Sequence, residues 1–420
     1  MNAIETAKLI TTKVIFENVP FNVALRIVGR MKNVSKEVFK NASVLSGSFI
    51  RHGGIIKDNV YFVFPKISDE GCLDACLYLT NRVFAKKVPE DEFLIHFKKV
   101  LEKEGLELTP EIEKRFEEIS TDKTKLITGQ YEKGSDEYLA YRFNAPRFLV
   151  KMWRKQYGDN ITYKTLFANS RKEVKFFRVV GDKEAFLARE PDFVDTKFNN
   201  LVTTKEGLLY SESKAFEKGE LFQESPVFQY IFDALDLDRF RKTVVYQEHA
   251  NDFYLEIMAR LGKEAKFDLI IGNASAYFRA KKNIEKFALA NVDCFESSSE
   301  NILACIPEKA HIFFVNPASS NYMMLREVPD FFIRCHQDQL DGIIANEKKA
   351  LENCSEFVEE GGSLVYVVST LNKKETTSLV RIFLNEHNDF TLEKERQFFS
   401  FDDTGSLMYY AILRRKSSDD

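Results

Sequence analysis

The spacing of apolar positions changes character three times along the chain. From residue 1 to about 103 it is helical: Val23-Ala24-Leu25 and Ile27-Val28 with Met31, Val38-Phe39, Val44-Leu45, then Phe93-Leu94 with Phe97 and Val100-Leu101. Gly53-Gly54 and Pro65 punctuate this stretch as helix breaks, so it predicts an all-α bundle over residues 1–103. Residues 104–136 mix Glu, Lys and Asp, as in Glu111-Ile112-Glu113-Lys114-Arg115-Phe116-Glu117-Glu118. Such a charge mixture predicts a solvated helix and a linker. Residues 137–215 combine a helical start with the strand-like Val174 to Val180 and alternating segments near Leu201 and Leu208, which predicts a small α+β module.

From residue 216 to 420 strand and helix patterns alternate. Val244-Val245-Tyr246, Phe267 to Ile271, His311 to Val315 and Leu364 to Val368 are short, continuously apolar runs, as in strands buried on both faces. Amphipathic stretches from Asp338 to Phe357 and from Lys374 to Phe383 separate or follow them, and Gly361-Gly362 is expected to stop a helix before the last run. This alternation predicts an α/β domain with a mostly parallel sheet. Two of its strands lead directly into small polar residues, Asn316-Pro317-Ala318-Ser319-Ser320-Asn321 and Ser369-Thr370-Leu371. Ligands of open α/β sheets bind at that carboxyl edge, so these two loops are the candidate site.

Composition narrows the class. No run of about 18 apolar residues is present, so no membrane span is expected. The start Met1-Asn2-Ala3-Ile4-Glu5 lacks the basic-then-apolar pattern of a secretion signal. Six cysteines in 420 residues are too sparse for a disulfide scaffold, and Cys72 and Cys76 have no second Cys/His pair to complete a zinc site. No metal and a cytoplasmic setting are therefore expected. A net charge of −4 argues against general, tight RNA binding but allows a local basic face.

Motifs in domain order resemble the Sun/RsmB (Nop/Sun-type) family of RNA cytosine-5 methyltransferases. Gly47 to Arg51 is similar to the Gly-x-x-x-Arg of the NusB-like domain that precedes many of these enzymes. Pro146 to Trp153 with Tyr157-Gly158 resembles Pro-x-Trp-Leu-Val-x-x-Trp…Tyr-Gly, with Phe148 for the first Trp. Val174 to Val180 takes the place of the Thr-Leu-Arg-Val-Asn strand. Gly219 to Glu224 looks like Gly-x-x-x-Gln-Asp, and Glu360-Gly361-Gly362-Ser363-Leu364-Val365-Tyr366 looks like Pro-Gly-Gly-x-Leu-Val-Tyr. The two loops align with Asp-Ala-Pro-Cys-Ser-Gly and Tyr-Ser-Thr-Cys-Thr-Leu.

The resemblance implies a NusB-like bundle, an RNA-recognition-like module and a Rossmann-like methyltransferase domain. It also implies S-adenosylmethionine as cofactor and small-subunit rRNA as partner. In the family one cysteine thiolate adds to carbon 6 of cytosine and the other assists product release. Here Ser319 and Ser369 stand at those positions, and Asn316 stands at that of the loop aspartate. A serine hydroxyl needs a strong base to act, whereas a thiol ionises near neutral pH. The glycine-rich cofactor loop becomes Tyr246 to Tyr254, with Ala250, Asn251 and Asp252 in it, and the ribose-binding acid becomes Gly272 or Asn273. Cys335 and Cys354 flank the loops as packing residues, and His249 reads as a surface residue. Arg51, Lys151, Arg154 and Arg178 are the candidate phosphate contacts. Three readings stay open: a catalytically degenerate homologue that keeps RNA or ribosome contact without binding cofactor, an active methyltransferase with atypical residues, and a protein-interaction module whose NusB-like bundle meets a partner in transcription or ribosome assembly.

Overall fold

Helices in the first part of the chain start where polar caps satisfy their first amides. Asn2 accepts the amide of Glu5 while Glu5 accepts that of Asn2, a capping box that opens α1 (Ala3–Ile15). Ser35, Ser68 and Thr109 cap α3 (Lys36–Val63), α4 (Asp69–Thr80) and α6 (Pro110–Thr121). Between them run α2 (Phe21–Gly29) and α5 (Glu90–Lys103), and beyond them α7 (Asp136–Phe143) and α8 (Arg147–Asn169). The computed structural model describes every residue except 127–130, 172–173, 206–212, 239, 249–250 and 418–420. It separates into two compact units, Met1–Ser170 with Met324–Cys335, and Arg171–Met323 with His336–Asp420.

The first unit is a helical bundle, as expected for the start of the chain, with three differences. Gly53-Gly54 does not break α3; the missing side chain of Gly54 leaves its surface open to Asn144, whose Oδ1 lies 3.3 Å from where a Cβ would stand. Asn144 in turn donates to the carbonyl of Arg51 at 2.8 Å. Tertiary approach has outweighed the poor helix propensity of glycine. The charged stretch 104–136 carries α6, whose Phe116 and Ile119 are fully buried in the bundle core. The expected module 137–215 is divided by this grouping, its helices α7 and α8 lying in the first unit and its strands in the second.

A late segment completes the bundle. Arg51 donates both terminal nitrogens to the carbonyls of Leu325 and Arg326, each at 3.0 Å. Asp330 is buried and accepts the amide of Phe21, at the start of α2, at 2.9 Å. Gly47, one turn before Arg51, lies close under the Phe21 ring and Pro329: a Cβ there would stand 3.2 Å from the tip of that ring and 3.6 Å from Pro329. The Gly-x-x-x-Arg spacing thus presents one helix face to residues 324–335.

The second unit holds both sheets. β1 (Phe176–Val179), α9 (Lys183–Arg189), β2 (Phe193–Asp195), β3 (Leu201–Thr204), α10 (Lys214–Glu217) and β4 (Leu221–Gln223) make an antiparallel sheet of order β2-β3-β1-β4, the βαββαβ pattern of ferredoxin-like folds. After α11 (Pro226–Phe232) come β5 (Thr243–Gln247), α12 (Leu255–Leu261), β6 (Phe267–Ile271), α13 (Ala274–Lys286), β7 (Val292–Glu296), β8 (Ala310–Asn316), β9 (Val358–Val368), β10 (Phe390–Phe398) and β11 (Met408–Arg415). Their order is β10-β11-β9-β8-β5-β6-β7, with β7-β6-β5-β8-β9 parallel and β11 and β10 antiparallel.

Each central strand feeds two cores. Phe314, Val365 and Val367 point into one, and Phe313, Val315, Leu364 and Tyr366 into the other. Phe314 pairs with Val365 across adjacent strands, as their apolar runs predict. Gly361-Gly362 is not a helix stop; the preceding helix ends at Ser355 and the glycines lie inside β9. Gly361 has φ 67° and the β8–β9 register shifts opposite it, so the pair makes a bulge. A Cβ on Gly362 would lie 2.9 Å from the carbonyls of Glu359 and His311, which excludes any other residue.

Candidate functional site

The strand order reverses direction between β5 and β8, and the loops that leave those strands define the edge where a ligand would enter. Here the two loops are tied to each other. The first residue after β5, Glu248, donates its amide to the carbonyl of Asn316 at 3.1 Å, and its carboxylate accepts the amide of Ala318 at 3.0 Å and the hydroxyl of Tyr246. Burial and that neighbouring carboxylate hold the Tyr246 phenol far above its ordinary range, so it stays a donor. Asn251 donates to Oδ1 of Asn316 at 2.6 Å, and Asn316 donates its own amide to the carbonyl of Val367 at 2.7 Å. One chain of side chains therefore crosses from the β5 loop through β8 to β9.

The rest of the loop after β5 turns toward α13. Asp252 pairs with Arg279 and accepts from Asn283 at 3.0 Å. Phe253 is buried, stacked on Phe228 with centroids 4.8 Å apart. Ala250 and His249 lie outside the described residues. Gly272 is exposed at the end of β6, yet a Cβ there would meet Cγ of Glu248 at 2.9 Å.

The β8 and β9 loops meet one residue beyond the expected serines. Oγ of Ser320 lies 2.6 Å from Oγ1 of Thr370, and both lean on Glu375. That carboxylate is fully buried and accepts the Ser320 amide at 2.7 Å, the Ser320 hydroxyl at 2.8 Å, the Thr370 hydroxyl at 3.2 Å and the Asn372 side chain at 2.9 Å. Glu347, on the helix Leu340–Ser355, is also fully buried; burial first and the Glu375 carboxylate second push its pKa well above the carboxylate range. Ser319 is buried and its hydroxyl accepts the amide of Asn321 at 3.3 Å, while Ser369 is half-buried and its carbonyl accepts the amide of Met323. Cys354 is fully buried, and burial pushes its thiol well above its ordinary range.

The four candidate phosphate contacts differ in standing. Lys151 is exposed on α8. Arg154 pairs with Asp136 and Asp159 at 2.8 and 2.7 Å. Arg51 is spent on the carbonyls of residues 325 and 326. Arg178 is 5% exposed, donates to the carbonyl of Asn199 at 3.0 Å and pairs with the buried Glu256 at 3.2 Å, which also holds Arg260 at 2.7 Å. Where Arg51 and Arg178 stand, the guanidinium serves the protein's own carbonyls and carboxylates.

Sequence reasoning did not assign roles to Glu248, Glu375 or Glu347. The usable signal was an acid immediately after, or a few residues after, a fully apolar strand, where a charge is held in place by loop amides. Among the described residues no group of three or more His, Cys, Asp and Glu could hold a metal ion, and no helix is long and apolar enough to cross a membrane.

No family model matches the chain. Ribosomal RNA small subunit methyltransferase B of Thermus thermophilus is 29% identical over 131 residues, which is 29% of this chain. The match spans about a third of that relative's length (33%). Among solved structures, PH0851 shares the fold over 99% of both chains with a TM-score of 0.75 at 14% identity. A methyltransferase homolog protein from Pyrococcus horikoshii has a TM-score of 0.57 at 15% identity, covering 68% of this chain and all of its own. NSun6 from Pyrococcus horikoshii has a TM-score of 0.58 at 12% identity, covering 65% of this chain and 99% of its own. The chain thus shares its fold with these structures, PH0851 over its full length, and part of it is similar in sequence to an rRNA methyltransferase.

Proposed function

We propose that this protein is an rRNA-methyltransferase-like, RNA-associated homologue in which the methyl-transfer edge has become a structural joint. The observation that carries the reading is the bridge at the switch point: Glu248 holds Ala318, and Asn316 holds both Asn251 and Val367. Groups that would face substrate and cofactor are used to bind the sheet's own loops together.

The residues do not fit S-adenosylmethionine. Its methionine part needs backbone free of side chains, and Asp252 with Phe253 stand in that loop. Its ribose needs an acid at the end of β6, where Gly272 and Asn273 stand and the Glu248 side chain already fills the adjoining space. Methyl transfer to cytosine also needs a thiolate, and the loops supply serines. RNA association rests on the family relationship and on the exposed cations of α8, Lys151 among them.

Calorimetric titration with S-adenosylmethionine tests this directly. No saturable binding with Kd below about 100 μM, roughly −5.5 kcal/mol, is expected. The companion assay is incorporation of labelled methyl groups into small-subunit rRNA by the wild type and by the double variant Ser319→Cys, Ser369→Cys, with a known family enzyme as the positive control. Both should stay at background. Micromolar cofactor binding, or counts in either protein, overturns the proposal in favour of an active enzyme.

A further inference from the structure

Exposed cations of the first unit gather where α2 passes into α3. Between Asn22 and Asn41 the chain has five Arg and Lys residues and one acid, Glu37, a surplus of four positive charges in a chain whose total is −4. Arg26 and Arg30 stand one turn apart at the end of α2, Lys32 lies in the connection, and Lys36 and Lys40 stand one turn apart at the start of α3. The two helices touch between these pairs. Gly29, the last residue of α2, lies so close to α3 that a Cβ there would stand 3.0 Å from the tip of the Phe39 ring, next to Lys40 in sequence. All five cations are exposed, and together they make one basic surface.

Packing does not account for these charges. Among the described residues none of the five meets a carboxylate at ion-pair distance, and none makes a hydrogen bond through its side chain. The dipole of α2 favours Arg26 and Arg30 at its carboxyl end. The lysines of α3 are opposed by their own helix. Lys36 opens 28 helical residues whose dipole repels a cation there, and Lys36 and Lys40, four residues apart, repel each other. The basic stretch of α8 differs, since its Arg147 pairs with Glu137 and its Arg154 with Asp136 and Asp159.

The surroundings narrow the anion. Five exposed cations spread over two helices and their connection suit a chain of repeated charge better than one small ion. Asn22, one turn before Arg26, and Asn33, beside Lys32, are exposed among them. Amides beside Arg and Lys are the side chains that hold the phosphates and sugars of nucleic acid. A membrane face would need large apolar side chains next to its cations. Among the described residues from Asn22 to Asn41, Ile27 is the one large apolar side chain left exposed.

We propose that Arg26, Arg30, Lys32, Lys36 and Lys40 form a surface that holds the phosphate backbone of RNA without regard to its sequence. The choice of RNA among polyanions rests on the function proposed above.

The test uses the full chain and a fluorescein-labelled single-stranded RNA of about 12 nucleotides and mixed sequence, read by anisotropy between about 50 and 200 mM salt. The triple variant Lys32→Gln, Lys36→Gln, Lys40→Gln should bind about tenfold or more weakly at the lower salt, and its plot of log K against log salt should be shallower by about 2. Arginine at the same three positions should keep binding within about twofold of the wild type. Lys98→Gln, Lys99→Gln, Lys103→Gln on α5 removes the same charge elsewhere on the unit and should leave binding within about twofold. The melting temperature of the first triple variant should equal or exceed that of the wild type, since no contact is lost; a clear fall would make these lysines structural and overturn the proposal. If the wild type binds RNA and the first triple variant binds it equally well, this surface is wrong and RNA association stands. If the wild type binds no RNA, RNA association falls and this surface with it. Polyglutamate that displaces the labelled RNA as well as unlabelled RNA does would assign the surface to acidic protein and overturn the proposal.

Discussion

Asn316 donates its side-chain amide to the main-chain carbonyl of Val367 at 2.7 Å, joining β8 to β9 below the surface. A carbonyl only accepts, so this position requires a donor, and a carboxylate there would face it with like partial charge. The amide of Asn316 thus suits a structural role. Asn316→Asp is expected to cost about 3 kcal/mol at neutral pH, since it buries a charge and removes a bond. The folded-state carboxyl pKa would be raised above the unfolded value, so the loss should grow as pH rises past about 4 and shrink below it. Urea unfolding of the variant at pH 4 and pH 7 reads this; equal stabilities at the two values would show that position 316 tolerates a charge.

Glu375 is the second structural joint, with four donors converging on one buried carboxylate. Glu375→Ala leaves those donors buried without an acceptor and should cost about 3–5 kcal/mol. For a unit of this size that corresponds to a fall of roughly 10 °C in Tm, measurable by calorimetry. Its neighbour Glu347 behaves oppositely, because a carboxyl whose pKa is raised well above the usual range already resembles an amide. Glu347→Gln is expected to leave Tm unchanged at neutral pH, and a large drop would show that Glu347 is ionised there.

His52 supplies a pH dependence in the helical bundle. Its ring is stacked on Phe84 at 4.0 Å, and burial first, then Arg51 and Lys123, lower its pKa to about 4. The unfolded chain, with a value near 6.5, binds the proton more readily. Stability from this group is therefore complete above about pH 6.5 and is lost as pH falls toward 4, by about 3 kcal/mol. His52→Phe should flatten the bundle's stability between pH 6.5 and 4.5, and a variant as pH-sensitive as the wild type would assign the effect elsewhere.

The parallel sheet was legible because β5, β6, β8 and β9 are apolar on both faces, a pattern that little else produces. The bulge at Gly361-Gly362 and the passage of α3 through Gly53-Gly54 were not legible, since each depends on a residue brought close by tertiary packing. The same holds at the candidate site. Spacing located Asn316, Ser319 and Ser369 within the loops, but the bonds that define the edge join residues far apart in sequence. Asn251 and Asn316 are 65 positions apart, Asn316 and Val367 51, and Ser320 and Glu375 55. Motif matching assigns a residue type to a position and cannot supply its partner.

The bundle is not finished when its last helix is made. The carbonyls that Arg51 grips arrive 274 residues later in synthesis, and the carboxylate that accepts the amide of Phe21 arrives 309 residues later. Until residues 324–335 have emerged, α2 and α3 present an incomplete surface, and closing it brings together segments about 300 residues apart in sequence. The first unit can therefore close only after most of the second has been synthesised.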